Sequence, residues 1–94
     1  MTYYNYVSEM QELCFRATQA LTVLGKNGTK DFYSAAEIGF STQMEELNNK
    51  PVSEVSVSIN QDQLDTLVST KKFVEDQENQ AASTLRRQQE ASHE

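Results

Sequence analysis

Histidine, cysteine and clustered carboxylates are the side chains through which this chain could do chemistry, and their placement argues against it. His93 is the single histidine and stands next to the last residue. A general base or metal ligand must be held in fixed geometry, which a chain end does not supply. Cys14 is the single cysteine. It falls on an apolar helical stripe, where a thiol behaves as a small hydrophobe, and no histidine is placed to lower its pKa. Glu45-Glu46 and Glu75-Asp76-Glu78 read as solvated helix faces, because a ferritin-like di-metal site needs Glu-x-x-His on paired helices. No cysteine pair suits zinc and no glycine-rich phosphate loop follows a strand. The expectation is a chain with no catalytic residue, metal, cofactor or small-molecule substrate.

Two short patterns remain. Asn27-Gly28-Thr29 matches the N-glycosylation acceptor, but Asn-Gly is also a common turn dipeptide and is read as one here. Tyr33-Ser34-Ala35-Ala36-Glu37 resembles the Tyr-x-x-x-Asp/Glu pattern of type VII secretion substrates. That resemblance implies a small helical hairpin exported without a cleaved signal. The pattern sits mid-chain, and no Trp-x-Gly turn accompanies it.

Charge narrows the partners. Eight Lys and Arg against 14 Asp and Glu give a net charge of -6. That balance opposes general binding to phosphates, whether of nucleic acid or of anionic membranes. No apolar run approaches the ~18 residues of a membrane span. MTYYNYVSEM lacks the basic and apolar blocks of a secretory signal. A lone cysteine fits a reducing compartment, so the expected location is cytoplasmic.

The elements that must position any site are helices. Leu, Ile, Val and Phe make 20 of 94 residues, close to the ~20% below which chains tend to stay disordered. The expected core is therefore thin. Tyr3, Val7, Met10, Cys14, Ala17, Leu21 and Leu24 recur at alternating spacings of four and three, widened by Tyr6, Leu13 and Ala20. This predicts a helix burying one face, with a repeat that also suits a coiled-coil seam. Glu12 and Arg16 are spaced for an ion pair along it. Gly25 ends it, and residues 25–29 are expected to turn.

A second helix is predicted from Thr29 to about Leu47, with Phe32, Ala36, Phe40, Met44 and Leu47 on one face. Ala35 and Gly39 lie beside that face, where they would let a neighbour approach. The short loop makes the first two helices an antiparallel hairpin. Pro51 breaks the pattern.

In residues 52–59, Val55, Val57 and Ile59 alternate with serines, the period of an extended segment. No strand of comparable quality accompanies it, so it is expected to be a connector laid over the helices or to pair in trans. Asn60 and Gln63 form a capping-box pattern, with Asp62 and Asp65 at the favourable end of a third helix. Its stripe runs through Leu64, Leu67, Val68, Lys71 and Val74, then thins to Glu78, Ala81 and Leu85. The helix is expected to reach about Arg87 and the tail to fray from about Gln88. Phe15, Ile38 and Phe73 fall off the main stripes and suggest second apolar edges.

The sequence thus predicts an all-α fold: a helical hairpin plus a third, more polar helix, with an extended segment (52–59) between helices two and three. One domain covers 1–87, followed by the tail 88–94. The expected function is non-catalytic protein–protein interaction through helix packing, as a chaperone, assembly factor or small regulator. Its partner would be another protein or a second copy, in a dimer or higher oligomer. The candidate partner-binding residues are Tyr3, Tyr6, Val55, Val57, Ile59, Leu64, Leu67 and Val74, chosen because no internal partner for them is visible. The type VII-like secreted hairpin is one alternative. An acidic mimic of nucleic acid is the other, and for it the carboxylates are few and spread.

Overall fold

Local signals begin and end the helices. Thr2 Oγ1 accepts the Asn5 backbone N–H at 3.2 Å, opening α1 (Tyr3–Leu24). Gly25 closes it at φ 71°, donating its N–H to the carbonyls of Leu21 and Thr22. Only glycine adopts that left-handed conformation without strain. The computed structural model describes residues 1–92 and is all-α. After α1 come α2 (Asn27–Asn48), the single-turn α3 (Val52–Val55) and α4 (Gln61–Ser92). The hairpin turn is tighter than the sequence suggests, because Asn27, Gly28 and Thr29 already belong to the first turn of α2.

α2 runs antiparallel to α1. Tyr4 Oη donates to Asn48 Oδ1 at 2.9 Å, and Gln11 Nε2 to Ser41 Oγ at 2.7 Å. α4 runs parallel to α1, with Leu67 lying near Leu13 and Leu85 near Val23. α1 therefore sits between two neighbours. Val7, Cys14, Ala17 and Leu21 along it are essentially sealed from solvent. α2 and α4 meet through the Tyr33 and Phe73 rings, stacked with centroids 5.4 Å apart. The assembly is a rod of 60 × 23 × 21 Å, its length set by α4, whose 32 residues span ~48 Å at ~1.5 Å per residue.

The connector differs from its prediction at one end. Residues Val52–Val55 form a helical turn, so the extended part is shorter than 52–59. Its backbone finds a partner in the same chain instead of in trans. Thr2 and Ser58 form an antiparallel bridge. The Tyr3 N–H donates to the Val57 carbonyl at 2.7 Å, and the Ile59 N–H to the Met1 carbonyl at 3.1 Å. Met1 and Thr2, ahead of α1, and Tyr3, its first residue, carry no alternating pattern, so nothing in the sequence marks them as a strand partner.

α4 opens on the expected capping box: Gln63 N–H donates to Asn60 Oδ1 at 2.8 Å, and Asn60 N–H to Gln63 Oε1 at 3.0 Å. The helix continues through Ser92, past the expected end at about Arg87. No proline or glycine interrupts residues 61–92, and Gln, Arg, Glu and Ala propagate helix well. Side chains 85–90 are all exposed. The remainder of the expected tail, His93 included, lies outside the described residues.

Three further expectations are corrected. On α2 the inward column is Tyr33, Phe40, Met44 and Leu47. Phe32 turns outward, and Ala35 and Gly39 face solvent instead of a neighbour. On α4 the buried column is Leu67, Val74, Gln77 and Ala81; Leu64, Val68, Lys71 and Leu85 fall on its exposed edge. Arg16 pairs across to Glu78 on α4, Nε to Oε2 at 3.0 Å and Nη2 to Oε1 at 2.5 Å. Glu12 contributes only its nearby charge.

Candidate interaction surfaces

Six of the eight residues proposed for partner contact are used by the fold itself. Leu67 and Val74 are buried on α4 against α1. Tyr6 is buried, and Tyr3 stacks on it at 6.3 Å between centroids. Burial pushes the Tyr6 hydroxyl pKa up, with smaller contributions from Tyr3 and Cys14. Val55 and Ile59 pack from the connector against the same cluster. The bridge to Met1–Tyr3 orients them. Val57, although it is two residues from Ile59, is exposed, and Leu64 at the start of α4 is also exposed.

Cys14 and Tyr33 are used in packing. Cys14 lies 1% exposed in the core, and its thiol pKa is raised by burial and then by the nearby Glu37. A raised thiol pKa lowers the thiolate fraction a nucleophile needs. Tyr33 is held up in the same way, by burial and then Cys14. Among the described residues no three His, Cys, Asp or Glu side chains gather to hold a metal ion. Among the described residues the one buried polar side chain is Gln77, which accepts from Lys26 Nζ at 2.9 Å.

Exposed apolar side chains stand on all three long helices. On the hairpin, Phe32 and Ile38 on α2 are each 67% exposed, on different sides of the helix, and Phe15 on α1 is half exposed. The sequence signals Phe15 and Ile38, which stand off the stripes; Phe32 it hides, because Phe32 fits the α2 stripe as well as Tyr33 does.

An apolar surface follows the edge between α1 and α4. A 340 Å³ groove there is lined by the apolar Leu13, Leu67 and Val68 and by the charged Glu9, Glu12, Arg16 and Lys71. A shallower hollow of 260 Å³ continues it past the Arg16–Glu78 pair, between Val23 and Leu85. Val68 is 60% exposed and Leu85 46%. Each lies on the predicted α4 stripe, and only the placement of α1 leaves them outside.

Among the described residues, no helix is long and apolar enough to cross a membrane. No family model matches the chain, and neither a curated protein nor a solved structure matches it.

Proposed function

We propose that this protein is a non-catalytic protein–protein interaction module that works by helix packing, as a chaperone, assembly factor or small regulator in a homo- or hetero-oligomer. The observation that supports this reading is the apolar surface left over once the fold is complete. Phe15, Phe32 and Ile38 on the hairpin, and Leu64, Val68 and Leu85 on α4, stand exposed on regular helices. Scattered apolar residues are ordinary on any surface, but Leu64, Val68 and Leu85 recur at helical spacing along α4, which matches what a partner helix covers. The partner is another protein's helix or a second copy of this chain, and neither nucleic acid nor membrane insertion is part of the reading. We place it in the cytoplasm, consistent with a single buried free thiol.

The type VII-like alternative rests on Tyr33 and Glu37. Tyr33 has a structural use here, stacked on Phe73, so packing accounts for it. The acidic-mimic alternative has no row of carboxylates to carry it.

The test is absolute mass by light scattering over a wide concentration range, with binding of a dye that fluoresces on apolar surface. An assembly larger than one chain, or a monomer that binds the dye, supports the reading. A monomer that binds no dye overturns it.

A further inference from the structure

The partner can be named from the order of charges along α4. We infer that two copies of this chain pair antiparallel along the exposed α1/α4 edge, a proposal that rests on the interaction reading above. On α4, Leu64, Val68, Lys71, Glu75, Glu78, Ala82 and Leu85 are spaced alternately four and three apart. That spacing places them in one line on the helix. The line borders the α1 groove and stays at least partly solvent-exposed throughout.

Read from its N-terminal end, the line carries Asp65 beside Leu64 and Val68, then Lys71 and Lys72. From there it continues with Glu75 and Glu78, then Ala82 and Leu85, then Arg86 and Arg87. The order is acid, apolar, base, acid, apolar, base.

A second copy laid antiparallel sets the acid, apolar and basic groups of that order against their complements. The two Glu75 side chains lie near the two-fold axis, and Glu78 keeps Arg16 as its internal partner. Asp65 meets Arg86, Leu64 and Val68 meet Leu85 and Ala82, and Lys71 meets Glu78. Leu64 with Leu85, and Lys71 with Glu78, are placed symmetrically about the middle of the stretch, between Val74 and Glu75. A surface that complements itself under a two-fold rotation is the requirement of an isologous dimer. A parallel pair in register would set Asp65 on Asp65 and Lys71 on Lys71, and like charges facing each other destabilise.

The exposed end of α4 acquires a place in this arrangement. Side chains 85–90 are exposed, and in the pair Leu85, Arg86 and Arg87 lie over the partner's groove near Leu64 and Val68. Their arginines arrive at an edge that carries Glu9, Glu12 and Asp65. The dimer should weaken as salt is raised, since exposed charge pairs are screened.

Cross-linking tests the geometry. Leu64→Cys and Leu85→Cys are made separately, purified, mixed with each other and oxidised. Both positions are exposed enough to leave the fold intact, and Cys14 is buried. The expected result is a disulfide dimer in the mixture and little in either variant alone. Val68→Glu should weaken the wild-type dimer by at least about tenfold with unchanged helix content, because it sets a charge in the apolar part of the seam.

Cross-linking of Leu64→Cys with itself means a parallel pair and overturns the inference. So does a dimer indifferent to Val68→Glu and disrupted by Phe32→Glu, although the interaction reading then stands on the hairpin face. A monomer that binds the apolar dye overturns the inference and leaves the reading intact. A monomer that binds none overturns both.

Discussion

α1 and α2 are each 22 residues long, both amphipathic and joined by a tight turn, yet they are buried very differently. α1 has eight buried residues, whereas α2 has one, Leu47. The difference lies in neighbours. α1 is flanked by α2 and α4, while α2 has α1 on one side and touches α4 at the Tyr33–Phe73 stack. A stripe of apolar residues shows that a helix can bury a face, but only the number of helices around it decides how much of that face is sealed.

Truncation breaks the comparison most strongly. Leu21 is fully enclosed on α1 and Ile38 stands two-thirds exposed on α2. Leu21→Ala should cost about 3–4 kcal/mol, as transfer and cavity terms add. Ile38→Ala should stay within about 0.5 kcal/mol. Urea denaturation of the two variants reads both. Equal costs would mean that α2 is as well covered as α1.

A smaller effect sharpens the picture where α2 and α4 meet. A double-mutant cycle on Tyr33→Leu and Phe73→Leu should give a coupling of about 1 kcal/mol, the usual worth of a stacked ring pair beyond its buried area. A coupling near zero would leave α2 held by α1 alone.

The smallest effect belongs to the α1–α4 ion pair. The Arg16 guanidinium, through its hydrogen bonds, holds the Glu78 carboxyl below the usual carboxylate range. A depressed folded-state pKa stabilises the fold above the unfolded value, and that contribution is lost as pH falls through the folded one. Glu78→Gln should therefore cost about 0.5 kcal/mol near neutrality, the scale of a partly exposed pair. The gap to wild type should close in acid. Thermal melts of both proteins across the acidic range test this, and a gap that stays constant would show that the carboxylate charge contributes nothing.

Much of the fold was legible before any tertiary information. Gly25 ends α1, and Asn60 with Gln63 starts α4, because caps are satisfied by residues within one turn of each other. The candidate surface was less so. Leu67 and Val74 stood on the stripe read along α4, but that stripe also took in Leu64, Val68 and Lys71 on the next column of the helix, so it did not show which column faces inward. Both columns contain apolar residues, and Thr70 and Gln77 in the buried one disguise it as polar. Phe32 was mistaken for a core residue for the related reason that Tyr33 beside it is equally apolar in its ring.

The sequence by itself determined that this protein is helical, where its long helices begin, and that its first two helices fold back on each other. Those are local matters of period, capping and turn length. Only the tertiary structure decided which column of each helix faces inward, that Met1–Tyr3 pairs with the connector, and that Arg16 reaches Glu78 before Glu12. Each of these depends on residues far apart in the chain, and a periodic pattern defines a face only to within the width of one helical column. Packing against α1 breaks that tie, and so leaves Val68 and Leu85 on the outside.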